Sequence, residues 1–154
     1  MHIWVDADAC PIAIRDILVR AAERTQTRMT LVAGKPVQTP RSRLVTAVTV
    51  STGVDAADNA IVDRLQPGDL VVTADIPLAA RVVAKGATAL NPRGDFYTDE
   101  NIRERLAMRD LMMSLRDSGA ISGGPPPLGA ADKQAFANAL DRFLAKQQRA
   151  QQQQ

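Results

Sequence analysis

The sequence predicts an α/β protein in three layers, α/β/α, with a mostly parallel central sheet covered by helices on both faces. Three observations carry that prediction. Short β-branched apolar runs alternate with longer stretches whose apolar residues recur at helical spacing, the pattern of repeated strand–helix units. Runs such as Leu70–Val71–Val72 are continuously apolar, as strands buried on both faces are. Third, 154 residues of which 45% are hydrophobic suffice for one good core and little more. The expectation is a single domain over 1–147.

His2–Val5 is the first strand, and Pro11 to about Arg24 the first helix, with Ile12, Ile14, Ile17, Leu18, Ala21 and Ala22 near helical spacing. Met29–Ala33 is the second strand. Gly34 to Arg43 holds two prolines and a glycine and reads as a loop. Leu44–Val50 is the third strand, ending in Ser51–Thr52–Gly53, and Val54–Leu65 reads as a helix with acids in its first turn. Gln66–Pro67–Gly68 ends it. The run after Gly68 is a buried strand that stops at Asp75 and passes through Pro77 into an Ala/Leu-rich helix closed by Lys85–Gly86. Ala87–Leu90 is the fifth strand and Asn91–Phe96 a turn-rich loop. Two late helices, 98–116 and 131–146, pack on this body, the first capped by Thr98 and the second striped by Phe136, Leu140, Phe143 and Leu144. Gly119–Pro127 joins them as a linker or a loop laid over the body. The Gln-rich stretch 148–154 has no packing residues and is expected to be disordered.

Composition excludes several classes of chemistry. One cysteine, Cys10, and one histidine, His2, supply neither a disulfide nor a thiolate or His-rich metal site, so any metal would be held by oxygen. Aromatic residues make up 3% of the chain, too few for a stacking platform that grips single-stranded nucleic acid. The apolar runs are too short for a membrane span and Met1 leads straight into a strand, so the expectation is a cytoplasmic location. A net charge of +2 names no partner.

Five carboxylates fall where strands hand over to helices: Asp6, Asp8, Asp55, Asp58 and Asp75. Ligands of open α/β sheets bind beyond the carboxyl ends of the strands, so these acids would converge at one sheet edge if their strands are neighbours. Mg²⁺ or Mn²⁺ prefers such carboxylate and water oxygens, and a site of this kind serves hydrolysis of phosphate esters. Each acid also has a structural reading. Asp55 and Asp58 resemble a capping pair, and Asp75 before Ile76–Pro77 is a natural N-cap. Asp6 is harder to assign that way, because a carboxylate ending an apolar strand is costly to bury unless paired or metal-bound. Lys35, Arg41 and Arg43 in the 34–43 loop and Arg93 in the 91–96 loop are candidates to hold phosphate, against the plainer reading of solvated or loop-stabilising cations. Cys10 precedes a helix start, where a thiol can become nucleophilic, yet no base stands beside it and a small buried residue is the competing reading.

Taken together, Val5–Pro11 with its two acids, Asp55–Ala56–Ala57–Asp58, Gly68–Asp69 through Ala80, Asn91–Pro92–Arg93–Gly94, and Gly123–Gly124–Pro125 with Asp132 resemble the bacterial YaiI/YqxD family, which is related to PIN-like nuclease domains. The resemblance spans nearly the whole chain. It implies a PIN-like three-layer fold, with Mg²⁺ or Mn²⁺ held by acids. In that likeness Asp6 matches the acid after the first strand, Asp58 or Asp55 the acid of the middle helix, and Asp75 the acid after the fourth strand. Asp95 is the candidate for a further acid.

Three functions follow as expectations. The first is a metal-dependent phosphodiesterase acting on RNA or another nucleic acid, with Asp6, Asp58 and Asp75 as the catalytic acids, Asp8 and Asp55 assisting at the metal, and Lys35, Arg41 and Arg93 on phosphate. The second rests on strand–Asp6–Ala7–Asp8, which resembles the start of haloacid-dehalogenase-like phosphohydrolases: Asp6 would be the nucleophile, Asp8 the acid/base and Thr73 a later hydroxyl. Motif order argues against it, since Asp55 and Asp58 precede Thr73. The third is a non-catalytic RNA-binding or regulatory module. Whether the late helices complete the core or form a homodimer depends on how much apolar surface they leave exposed.

Overall fold

The computed structural model describes residues 1–51, 53–124 and 126–153. Thr52 at the end of the third predicted strand, Pro125 of the Gly/Pro stretch and Gln154 of the tail lie outside the described residues. The chain runs β1 (His2–Asp6), a 3₁₀ turn (Ala7–Ala9), α1 (Ile12–Thr25), β2 (Arg28–Ala33), β3 (Val45–Thr49), α2 (Ala56–Arg64) and β4 (Leu70–Val72). It continues through α3 (Ile76–Ala84), β5 (Thr88–Leu90), β6 (Phe96–Tyr97), α4 (Ile102–Asp117) and α5 (Ala130–Gln152). All strands join one six-stranded sheet in the order β3-β2-β1-β4-β5-β6, parallel except for the antiparallel β5–β6 pair.

Side-chain alternation along the strands divides the core between two faces. Ile3 and Val5 of β1, Leu70 and Val72 of β4, and Met29 and Leu31 of β2 pack with Ile14 and Leu18 of α1 and with Phe136, Leu140 and Leu144 of α5. Trp4, Val32 and Val71 point the other way, onto Ile61 of α2 and Leu65 just after it, Leu78 and Val82 of α3, and Ile102 of α4. The result is the expected α/β/α sandwich: α1 and α5 on one face, α2, α3 and α4 on the other.

Most predicted elements stand within a residue or two of their observed bounds. Gln66–Pro67–Gly68–Asp69 is closed by a bond from the Asp69 N–H to the Gln66 carbonyl, with Gly68 at φ +89, the geometry a type II turn requires of its third residue. Two late features differ. Thr98 does not open α4; it exchanges bonds with Asn101, Thr98 N–H donating to Asn101 Oδ1 and Asn101 N–H to Thr98 Oγ1, and the helix starts at Ile102. The tail expected to be disordered from residue 148 continues α5 as helix to Gln152. Glutamine is a good helix former, and extending an existing helix needs no new nucleus, so a lack of packing residues does not end it.

The late helices divide the roles left open by their sequence. α5 completes the core, with Phe136, Ala139, Leu140 and Leu144 buried. α4 buries only Ile102 and leaves Met108 and Leu111 about half exposed, at 54% and 52%. Among the described residues, no helix is long and apolar enough to cross a membrane.

Candidate functional site

Strand order locates the site. From β1 the chain moves outward to β2 and β3, then returns to place β4 on the other side of β1. The carboxyl ends of β1 and β4 therefore flank the point where the winding reverses, the position at which open α/β sheets form a crevice. Asp6 ends β1, and Thr73–Ala74–Asp75 follows β4.

Asp6 is 6% exposed and Thr73 1%. The Thr73 hydroxyl donates to Asp6 Oδ2 at 3.0 Å and accepts from the Asp75 N–H at 3.0 Å, so one buried hydroxyl sets the spacing of two acids from different strands. Asp75 Oδ1 accepts from the Leu78 N–H at 3.0 Å and caps α3, with Pro77 in the first turn. The capping reading of Asp75 holds, and it spends one carboxylate oxygen. Asp55 stands at the N-cap of α2 in the left-handed region, at φ 61, and makes no side-chain cap bond; Asp58 follows in the first turn. The Asp55/Asp58 capping pair is not formed. Asp8 is exposed, and its Oδ2 accepts from the Gly34 N–H at 2.7 Å, tying the 3₁₀ turn to the end of β2.

Electrostatics show that the acids share one region. Burial pushes the Asp6 carboxyl above its usual range, the Thr73 bond opposes this, and the charges of Asp75 and Asp8 raise it further. Asp58 is pushed up to about 6, first by burial and then by Asp75, Asp6 and Asp55, with Arg81 pulling the other way. Asp58 of α2 thus joins the acids of β1 and β4. As the side chains stand, no three His, Cys, Asp or Glu groups among the described residues are gathered tightly enough to hold one ion. The donor set still suits a hard cation: all-oxygen, mutually repelling, and without a histidine or thiolate. Asp95 lies exposed between β5 and β6, its N–H donating to Asn91 Oδ1, and is not among the charges that move Asp6 or Asp58.

The candidate cations fall in three places, with Arg43 exposed on the same loop as Arg41. Lys35 lines a cleft of about 300 Å³ with Asp8, Gly34, Ser51, Gly53 and Ala56, on the α2 side of the acids. Arg41 is exposed and does not line that cleft; the preceding residues Gln38–Pro40 lie beside Asp16, Val19 and Arg20 of α1. Arg93 is engaged, donating to Asp132 Oδ2 at 2.9 Å and to the Pro126 carbonyl, so it fastens the Gly/Pro loop and the start of α5 to the sheet edge. The loop-stabilising reading describes Arg93 as it stands. Cys10 is buried and its thiol is pushed up to about 12, chiefly by burial, which keeps it protonated.

Two positioning residues were not evident in the sequence. Thr73 reads there as an ordinary β-branched strand residue, considered only as a hydroxyl of the phosphohydrolase alternative. Arg15 takes a solvent-side position in the α1 pattern, yet its guanidinium donates to the Cys10 and Ala7 carbonyls at 3.1 and 2.9 Å and pins the turn that carries Asp8. A hydroxyl two residues upstream of an acid at a strand-to-helix junction is the signal that could have marked Thr73.

A family profile described as "Uncharacterized BCR, YaiI/YqxD family" matches residues 4–146. The chain is 62% identical over 144 residues to a UPF0178 protein of Alkalilimnicola ehrlichii, covering 94% of this chain and 97% of the relative. It is 60% identical over 146 residues to a UPF0178 protein of Shewanella amazonensis, covering 95% and 98%. A UPF0178 protein of Thioalkalivibrio sulfidiphilus is 61% identical over 146 residues, covering 95% and 99%. No solved structure matches the chain. Matched along nearly its whole length by the profile and by these relatives, the chain belongs to the YaiI/YqxD family.

Proposed function

We propose that the protein is a divalent-metal-dependent phosphodiesterase acting on RNA or another nucleic acid, PIN-like in the arrangement of its acids. The single observation that carries this reading is the meeting of acids from separate segments at the crevice between β1 and β4: Thr73 bonds both the Asp6 carboxylate and the Asp75 backbone, and the charges of Asp6 and Asp75 add to burial in raising the proton affinity of Asp58. Mutual repulsion of that kind is what a bound cation relieves. Asp6, Asp58 and Asp75 would hold Mg²⁺ or Mn²⁺, with Asp8 and Asp55 at its margin. The ion would supply a lowered water pKa and neutralise charge on the phosphoryl group. Thr73 keeps Asp6 and Asp75 in register, and Lys35 offers a cation to a phosphate entering the cleft beside Asp8. Arg93 would reach phosphate only by giving up Asp132, and Arg41 only by movement of its loop.

The phosphohydrolase alternative asks Asp6 to be a nucleophile. Its carboxylate is buried and Oδ2 is occupied by Thr73, which favours a ligand role.

The test is Mn²⁺ titration by calorimetry on the wild type, Asp6→Asn and Asp75→Asn, with circular dichroism to confirm folding. Asparagine keeps an acceptor for Thr73 at position 6 and caps α3 at position 75, so both variants should fold. The expected result is a loss of Mn²⁺ affinity of about tenfold or more in each, with loss of metal-dependent RNA cleavage. Cleavage retained by both folded variants would end the proposal. Trapping of a phospho-aspartate at Asp6 would replace it with the phosphohydrolase, and RNA binding in chelator without cleavage under any divalent metal would replace it with the non-catalytic module.

A further inference from the structure

A second pocket, of about 310 Å³, adjoins the acids on the side away from Lys35. Two of its wall residues are direct chain neighbours of candidate ligands: Ala9 follows Asp8, and Ala74 precedes Asp75. The pocket thus borders the two chain segments that carry Asp8 and Asp75. Pro11 and Pro92 add rigid apolar walls, and Leu128, at the end of the Gly/Pro loop, adds another. Arg93 keeps that loop in place through Asp132 and the Pro126 carbonyl.

One polar corner interrupts the apolar lining. Asn91 Oδ1 is spent on the backbone N–H groups of Arg93 and Asp95, at 2.9 and 3.1 Å, which fixes the amide so that Nδ2 is the group left to donate. That Nδ2 makes only a long 3.4 Å contact to the Tyr97 hydroxyl. An amide N–H and a phenol O–H thus remain under-used in a mostly apolar recess whose one charged lining residue, Arg93, is paired with Asp132. Apolar walls with a few fixed polar groups at one corner suit a planar heterocycle bearing ring nitrogens and exocyclic oxygens.

We propose that this pocket is a nucleobase subsite: the substrate presents one unstacked nucleotide, its base in the recess bounded by Ala9, Ala74 and Leu128 and its phosphate at the acids. The proposal rests on the phosphodiesterase reading and narrows its substrate to nucleic acid with an unpaired base at the reacting position, since a base held in a duplex stack cannot enter such a recess. Asn91 acts here as a donor, and bases offering an acceptor to it gain affinity.

The experiment separates the base from the phosphate. Adenosine 5′-monophosphate, cytidine 5′-monophosphate and ribose 5-phosphate are titrated into the full chain with and without Mg²⁺, following the Asn91 side-chain amide and the Ala74 and Leu128 signals by ¹H–¹⁵N NMR. Mn²⁺ calorimetry runs in parallel. Leu128→Trp and Ala9→Leu narrow the recess from two different segments, and Ala9 is exposed, so the second variant keeps the fold if the first does not. The expected result is that the nucleotides shift all three signals and bind about tenfold or more tightly than ribose 5-phosphate, a margin the filled variants lose, while Mn²⁺ binding is unchanged. Equal affinity for ribose 5-phosphate and the nucleotides, or an unchanged margin in both folded variants, overturns the subsite. Nucleotide contact in the recess with no Mn²⁺ binding by the wild type overturns the metal reading and leaves the subsite standing.

Discussion

Asp69 shows how much a single side chain can hold. Its carboxylate is buried and accepts three bonds: Oδ1 from the His2 N–H at 3.0 Å, Oδ2 from Trp4 Nε1 at 3.1 Å and from the Gln66 N–H at 2.9 Å. It joins the start of β1 to the turn before β4 at the amino end of the sheet, opposite the candidate site. Removing it strands an indole N–H and two backbone N–H groups, each costing about 1–3 kcal/mol when buried without a partner. Asp69→Ala should therefore lose about 3 kcal/mol of stability in urea denaturation, allowing for partial rescue by water. A loss under 1 kcal/mol would show those donors to be solvated. In sequence, Gly68–Asp69 was legible only as a turn and as part of a family pattern. The same is true of Thr73: its partners Asp6 and Asp75 are named by the sequence, but the hydroxyl between them exists only because β1 and β4 are neighbours.

At the scale of elements, the turn between β5 and β6 sets how closely α5 approaches the sheet. Gly94 has φ +93, and a Cβ there would lie 2.7 Å from the backbone carbon and oxygen of Ala135 in α5. Gly94→Ala should cost about 3 kcal/mol, combining backbone strain with a clash that backbone atoms cannot evade. A melting temperature within a degree or two of wild type would mean that α5 can move away freely. Strand–helix alternation identified β1 to β5 because buried parallel strands are short apolar runs with turn residues at each end. β6 was missed: two residues, Phe96–Tyr97, carry no period, and only pairing with β5 makes them a strand.

The acidic centre belongs to the whole molecule, since the field at Asp58 comes from β1, from the β4–α3 junction and from the N-cap of α2. In metal-free buffer the folded Asp58 holds its proton up to about pH 6, whereas its ordinary value is 3.8. A raised folded value stabilises below the unfolded one, and that contribution is lost as pH rises through the folded one. Asp58 therefore makes the metal-free protein less stable between about pH 4 and pH 6 and above. Asp58→Asn should match wild type near pH 4 and exceed it at pH 8 by about 1 kcal/mol, after allowance for solvent screening of a partly exposed group. Denaturation curves in chelator across that range measure it. An Asn variant that is no more stable at pH 8 would mean that the acids do not repel one another across the crevice.

The sequence by itself determined the α/β alternation, nearly every element, the family, and the acids at the strand ends, because burial on two sheet faces and helix punctuation leave local marks along the chain. Only the tertiary structure decided which strands are neighbours, and with that which acids meet. The order β3-β2-β1-β4-β5-β6 sets Asp6 beside Thr73 and Asp75, brings Asp58 into their field, leaves Arg41 on the loop beside α1, and commits Arg93 to Asp132. Contacts between residues sixty or more positions apart, such as Asp6 with Thr73 or His2 with Asp69, leave no local periodicity to read. They arise from closing the sheet around β1, where the reversal of winding opens the crevice.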